Sequence, residues 1–146
     1  MITQIERRTQ SDPLTAQIIG CAFSVHRALG PGFPERVYQA ALAASLTAAG
    51  LSVELERRFK VAFQKTIVGE FQVDLLVGGR AVVEVKAVIG AMPKVFGAQV
   101  LAYLKAAGLP VGLLVNFGNT SCQVKRFSLS SAKSETKSAK SYGGLS

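Results

Sequence analysis

Gly69-Glu70-Phe71-Gln72-Val73-Asp74-Leu75-Leu76-Val77-Gly78-Gly79-Arg80-Ala81-Val82-Val83-Glu84-Val85-Lys86 reads as two strands joined by a glycine turn. Phe71, Val73, Leu75 and Val77 alternate with Gln72, Asp74 and Leu76, the period-two signal of a strand. Ala81 to Val85 is rich in β-branched residues, and Gly78-Gly79 supplies the positive φ of a hairpin loop. The loop length decides the chemistry. A two-residue loop sets Val77 against Arg80 and Asp74 against Val83, and sends Glu84 to the opposite face. A three-residue loop (Gly78, Gly79, Arg80) sets Val77 against Ala81 and Asp74 against Glu84. One residue of register turns every side chain over. The apolar pattern suits either choice. The charges distinguish them, because only the longer loop gathers Asp74, Glu84 and Lys86 on one face. Opposed Cβ atoms there lie roughly 5 Å apart. Two carboxylates at about that distance repel by roughly 3 kcal/mol at an effective dielectric near 20. Such a pair holds a divalent cation, shares a proton or leans on the lysine. The plain structural alternative is a salt-bridged strand pair whose charges face water.

The rest of the chain sets the bounds. Its 146 residues suit one domain with a real core. Hydrophobic content of 49% and a mean hydropathy of +0.30 exclude wholesale disorder. No run approaches the roughly 20 apolar residues of a membrane span. Met1 to Gln10 lacks an apolar signal core, which argues against secretion. Cys21 and Cys122 have no CxxC partner and read as buried free thiols of a reducing cytoplasm. One histidine and two cysteines make no convincing zinc site. The net charge of +8, from 17 Lys and Arg against nine acids, suits a phosphate backbone or another anionic partner. Three of those acids, Glu35, Asp74 and Glu84, sit in apolar or glycine-rich settings.

Around the hairpin the predicted order is helix, helix, about three strands, helix, strand, strand. Residues 1–12 are a polar lead-in. Asp12 caps a first helix with Pro13 in its first turn, and Gly30-Pro31-Gly32 ends it. A second helix runs from about Pro34 to Gly50, with Glu35 in its first turn, where the helix dipole favours a carboxylate. Val53 to Phe63 is one or two strands. A third helix spans about Lys94 to Ala107. Val111 to Phe117 is a buried strand and Gln123 to Leu129 an edge strand. Ser130 onward is a Ser- and Lys-rich tail expected to be disordered. The fold class is α/β with a mixed sheet flanked by helices. A crossover through the third helix makes 111–117 parallel to a strand of the hairpin.

On the third helix Gln99 and Tyr103 are four apart and share a face. Asp74, Glu84-Val85-Lys86 and Gln99-x-x-x-Tyr103 together resemble the motif set of the PD-(D/E)XK nuclease superfamily, in its RecB-like branch. More closely, Gly32-Phe33-Pro34-Glu35-Arg36-Val37-Tyr38 resembles the motif of the GxxExxY protein family, and Ser24 to Gly32 its approach segment. The likeness covers about residues 13–128. It departs at Val73, where the superfamily usually has proline. The resemblance implies a restriction-endonuclease-like fold over 13–129 and a nuclease using Mg²⁺ or Mn²⁺ on DNA or RNA. Asp74 and Glu84, with the Val85 carbonyl, would bind the metal, and Glu35 would complete or orient its shell. Lys86 would position the attacking water, Gln99 would orient the lysine or the nucleic acid, and Tyr103 would buttress the helix. His26, Arg27, Arg36 and Lys94 are candidates for nucleic-acid contact, His26 also for a capping or loop-pinning role. The other readings are a binding module without turnover, for nucleic acid or a protein partner, and a subunit that oligomerises through its apolar helices, a homodimer being the simplest form.

Overall fold

The structure, a computed structural model, describes residues 12–129. The lead-in before Asp12 and the tail after Leu129 lie outside the described residues. Helix α1 (Pro13–Leu29) starts where the sequence asks it to: Asp12 caps it by accepting from the Thr15 N–H at 3.4 Å, and proline opens the first turn. Gly30, at φ 69°, stops it. Helix α2 (Glu35–Ala48) follows the short Gly30–Pro34 loop and packs on α1. Then come β1 (Val53–Phe63), β2 (Thr66–Val77) and β3 (Ala81–Lys86), helix α3 (Lys94–Ala107), β4 (Val111–Asn116) and β5 (Gln123–Ser128).

The strands form one mixed sheet in the order β1-β2-β3-β4-β5. Only β3 and β4 run parallel, joined by the crossover through α3; the other neighbours are antiparallel. Helices α1 and α2 cover one face over Ile18, Tyr38, Leu42, Leu46, Val83 and Leu113. Helix α3 covers the other over Val73, Val82, Val100, Leu104 and Leu114. The result is a three-layer, restriction-endonuclease-like arrangement. Among the described residues no helix is long and apolar enough to cross a membrane. Asp12 also ties the layers' ends together, taking Arg80 at 3.3 Å and Arg126 at 3.1 Å on its two oxygens. Cys21 and Cys122 are free, as expected, but half-buried rather than buried.

Two features of the sheet depart from the sequence reading. Strand β2 begins at Thr66, because Gln64 and Lys65 take positive φ (50° and 65°) and close a two-residue turn between Phe63 and Thr66. The alternation along β2 is also broken. Phe71 and Val73 face α3, whereas Leu75 and Val77 face the α1/α2 pair. The change of face falls at Asp74. Across the ladder the register runs from Leu55↔Leu75 to Arg57↔Val73, and Glu56 between them has φ 52°. Both strands therefore change face together beside the candidate site with no shift of register, which re-aims the side chain of Asp74.

Candidate functional site

The hairpin takes the three-residue loop. Val77 pairs with Ala81, Leu76 with Val82 and Leu75 with Val83, which leaves Gly78, Gly79 and Arg80 outside the ladder and brings Asp74 level with Glu84. Both glycines need their freedom, at φ 62° and 70°, and the Arg80 N–H closes the turn on the Val77 carbonyl at 3.2 Å. The paired ladder stops at Leu75. Beyond it Asp74, at the change of face, turns its carboxylate inward, and Oδ2 accepts the Val85 N–H at 2.8 Å.

Glu84 is 5% exposed, so its charge does not face water, and the solvated strand-pair alternative fails. Burial is the main force on its carboxyl. A hydrogen bond to the Asp74 side chain and that residue's negative charge add to it, and Lys86 opposes it, leaving Glu84 pushed up to about 9. At neutral pH Glu84 therefore keeps its proton, beside the Asp74 side chain to which it is hydrogen-bonded. Lys86, half-buried at the end of β3, lays its Nζ 4.5 Å from the centre of the Phe96 ring of α3. Glu35, exposed at the first turn of α2, lies within electrostatic reach of both Lys86 and Asp74. Partial desolvation, with Asp74 adding and Lys86 opposing, raises its carboxyl. Four residues on, Gln39 Nε2 reaches the Asp74 carbonyl at 3.4 Å, so one face of α2 meets β2 where it changes face.

Tyr103 stacks on Phe71 at 4.3 Å between centroids, and Phe71 on Phe59 at 5.5 Å. Burial and the charges of Glu84 and Asp74 raise its phenol, which places the ring beside the acids. Gln99 follows Phe96 by three residues and precedes Tyr103 by four, so it shares their face. It is exposed and its side chain makes no hydrogen bond among the described residues. Val85 keeps its side chain in the α1/α2 core and spends its N–H on Asp74. Arg27, Arg36 and Lys94 are exposed and make no ion pair among the described residues, where the Arg27 side chain bonds Ser24. His26 differs from that group: it is buried, and its Nε2 lies 2.8 Å from the Asn119 carbonyl, the loop-pinning role.

Tyr38 closes the Gly32–Tyr38 motif. Fully buried and stacked on Phe117 at 4.7 Å, it donates its hydroxyl to the Gly30 carbonyl and accepts the Phe33 N–H at 3.1 Å. The tyrosine thereby fixes the loop that delivers Glu35. Sequence reasoning missed Gln39 and Phe96, whose helical spacing from Glu35 and Gln99 was the available signal. It also missed Asn116, Asn119 and Gln123. For these the only hint was a polar residue ending the apolar run Val111–Val115.

Among the described residues no three His, Cys, Asp or Glu side chains gather closely enough to cage a metal. The pair itself suits a hard cation, because its donors are all oxygen and Mg²⁺ asks for only one or two protein carboxylates. Residues 12–127 match the model of the PD-(D/E)XK nuclease superfamily. No curated protein and no solved structure matches the chain.

Proposed function

Because the chain belongs to the PD-(D/E)XK nuclease superfamily, we propose that it is a divalent-metal-dependent nuclease acting on DNA or RNA. The observation that carries the reading is buried Glu84 against half-buried Asp74, beside Lys86. The Gly32–Tyr38 run supports placing the chain in the GxxExxY family within that superfamily. Asp74 and Glu84, with the Val85 carbonyl, would hold Mg²⁺ or Mn²⁺, with Glu35 completing or orienting the shell. A cation bound there supplies Lewis acidity toward the phosphoryl oxygen.

The protein's own groups then have distinct tasks. Lys86 positions the attacking water and counters the charge that grows on the phosphate, where a nearby ammonium in a partly dry site is most effective. Phe96 holds that ammonium in place. Gln99 orients the lysine or the nucleic acid. Tyr103 and Phe71 form an apolar wall that keeps water from the acids. In the reaction the water oxygen bonds to phosphorus, the bond from phosphorus to one sugar oxygen breaks, and that oxygen leaves with a proton. Exposed Arg27, Arg36 and Lys94 supply phosphate contacts. The test is metal-dependent cleavage of plasmid, single-stranded DNA and RNA by the native chain, Asp74→Ala and Lys86→Ala. Both variants are expected to lose at least a hundredfold, a typical scale for removing one electrostatic stabiliser. Equal residual cleavage would point to a contaminant and end the assignment; salt-dependent binding without cleavage would favour a silent binding module.

A further inference from the structure

We infer that Ile89 is a wedge, held rigid by an asparagine clamp, that inserts beside a base of the nucleic acid bound at the Asp74–Lys86 site. This rests on the nuclease reading. The segment after β3 does not leave the sheet freely. The Phe117 N–H donates to the Lys86 carbonyl at 2.9 Å, extending the β3–β4 pairing by one residue. Asn116, fully buried, then takes over with its side chain: Oδ1 accepts the Val88 N–H at 2.9 Å and Nδ2 donates to the Val88 carbonyl at 3.0 Å. Asn119 does the same to Gly90, at 2.8 and 2.9 Å. Two side-chain amides thus continue a strand ladder for which no backbone partner remains. Gln123 Oε1 accepts from both amides, at 3.1 and 2.9 Å, and sets which end of each faces the loop. His26 holds the Asn119 carbonyl. At Gly118 a Cβ would lie 2.3 Å from the Val88 carbonyl oxygen, so glycine lets the two backbones meet.

Between the two clamped residues stands Ile89, 91% exposed, the most exposed large apolar side chain described. A single exposed apolar residue on a loop is ordinary. This one has a β-branched, stiff side chain on a backbone whose neighbours each have both polar groups tied. A flexible tip would lose conformational freedom on binding; this one is already set. It lies three positions after Lys86, which limits the span to about 10 Å. At 3.4 Å per nucleotide that is about three base steps from the reacting phosphate. Lys94, exposed and without an ion pair among the described residues, opens α3 at the other end of the loop. Apolar wedges between base steps, flanked by cations on the phosphates, are a recurrent way to unstack a nucleic acid.

The experiment uses Glu84→Gln as a cleavage-silent background and a short DNA duplex carrying 2-aminopurine at successive positions. Binding should raise the fluorescence at one position, within about three steps of where the native chain cuts. Ile89→Ala should remove most of that rise and weaken binding about tenfold, and Ile89→Met should keep both. Thermal stability should not change, since the side chain contacts solvent. An unchanged rise with Ile89→Ala overturns the wedge while leaving cleavage, and the nuclease reading, intact. Neither binding nor cleavage of DNA or RNA by the native chain overturns both. If Ile89→Ala changes only the mass measured by light scattering, the residue belongs to a protein interface and the wedge is refuted.

Discussion

Replacing Glu84 with glutamine should stabilise this protein at alkaline pH and leave it nearly unchanged in mild acid. The carboxyl stands at about 9 in the folded chain against 4.5 as the ordinary value, so over that window the folded state holds a proton that the unfolded state has released. Stability is then fully present below about pH 4.5 and falls as pH rises toward 9, because the unfolded state binds fewer protons. Each pH unit inside the window costs about 1.4 kcal/mol. From pH 5 to pH 8 the native chain should lose about 4 kcal/mol, on the order of 10 °C in Tm for a domain of this size. A glutamine amide can donate to Asp74 as a protonated carboxyl does and never ionises, so the variant should lack this slope. Urea unfolding of both proteins, with EDTA present at each pH, reads the difference directly. Parallel curves for the two proteins would refute the claim that Glu84 keeps its proton.

Two further outcomes follow from the loops beside the acids. Tyr38→Phe removes the hydroxyl that donates to Gly30 and accepts from Phe33, and should cost about 1–3 kcal/mol in chemical denaturation. It should also lower cleavage by loosening the turn that delivers Glu35. Gly118→Ala forces a Cβ to within 2.3 Å of the Val88 backbone and should cost about 1–3 kcal/mol or more. Amide exchange at Val88 and Gly90 should accelerate in that variant, whereas exchange in α1 should change only with global stability.

Much of the architecture was legible because it depends on near neighbours in the chain. Asp12-Pro13 and Gly30 bracket α1, Lys94 to Gly108 delimits α3, and the apolar run Val111–Phe117 reads as a buried strand. The residue types at Asp74, Glu84 and Lys86 announced a site of paired acids and a cation. Their meeting was legible only through the charges, and not in the apolar pattern. Ala81, Val82, Val83 and Val85 satisfy either hairpin register, so the choice of loop fell to the packing of two helical layers on opposite faces. The same packing changes the face of β2 at Asp74, buries Glu84 until it keeps its proton, and lets Asn116 and Asn119 stand in for a missing strand. Local chemistry sets where helices and strands begin and end. Which carboxylate loses its water, and which amide finds a backbone, depends on residues far apart in the chain that meet only when the layers close.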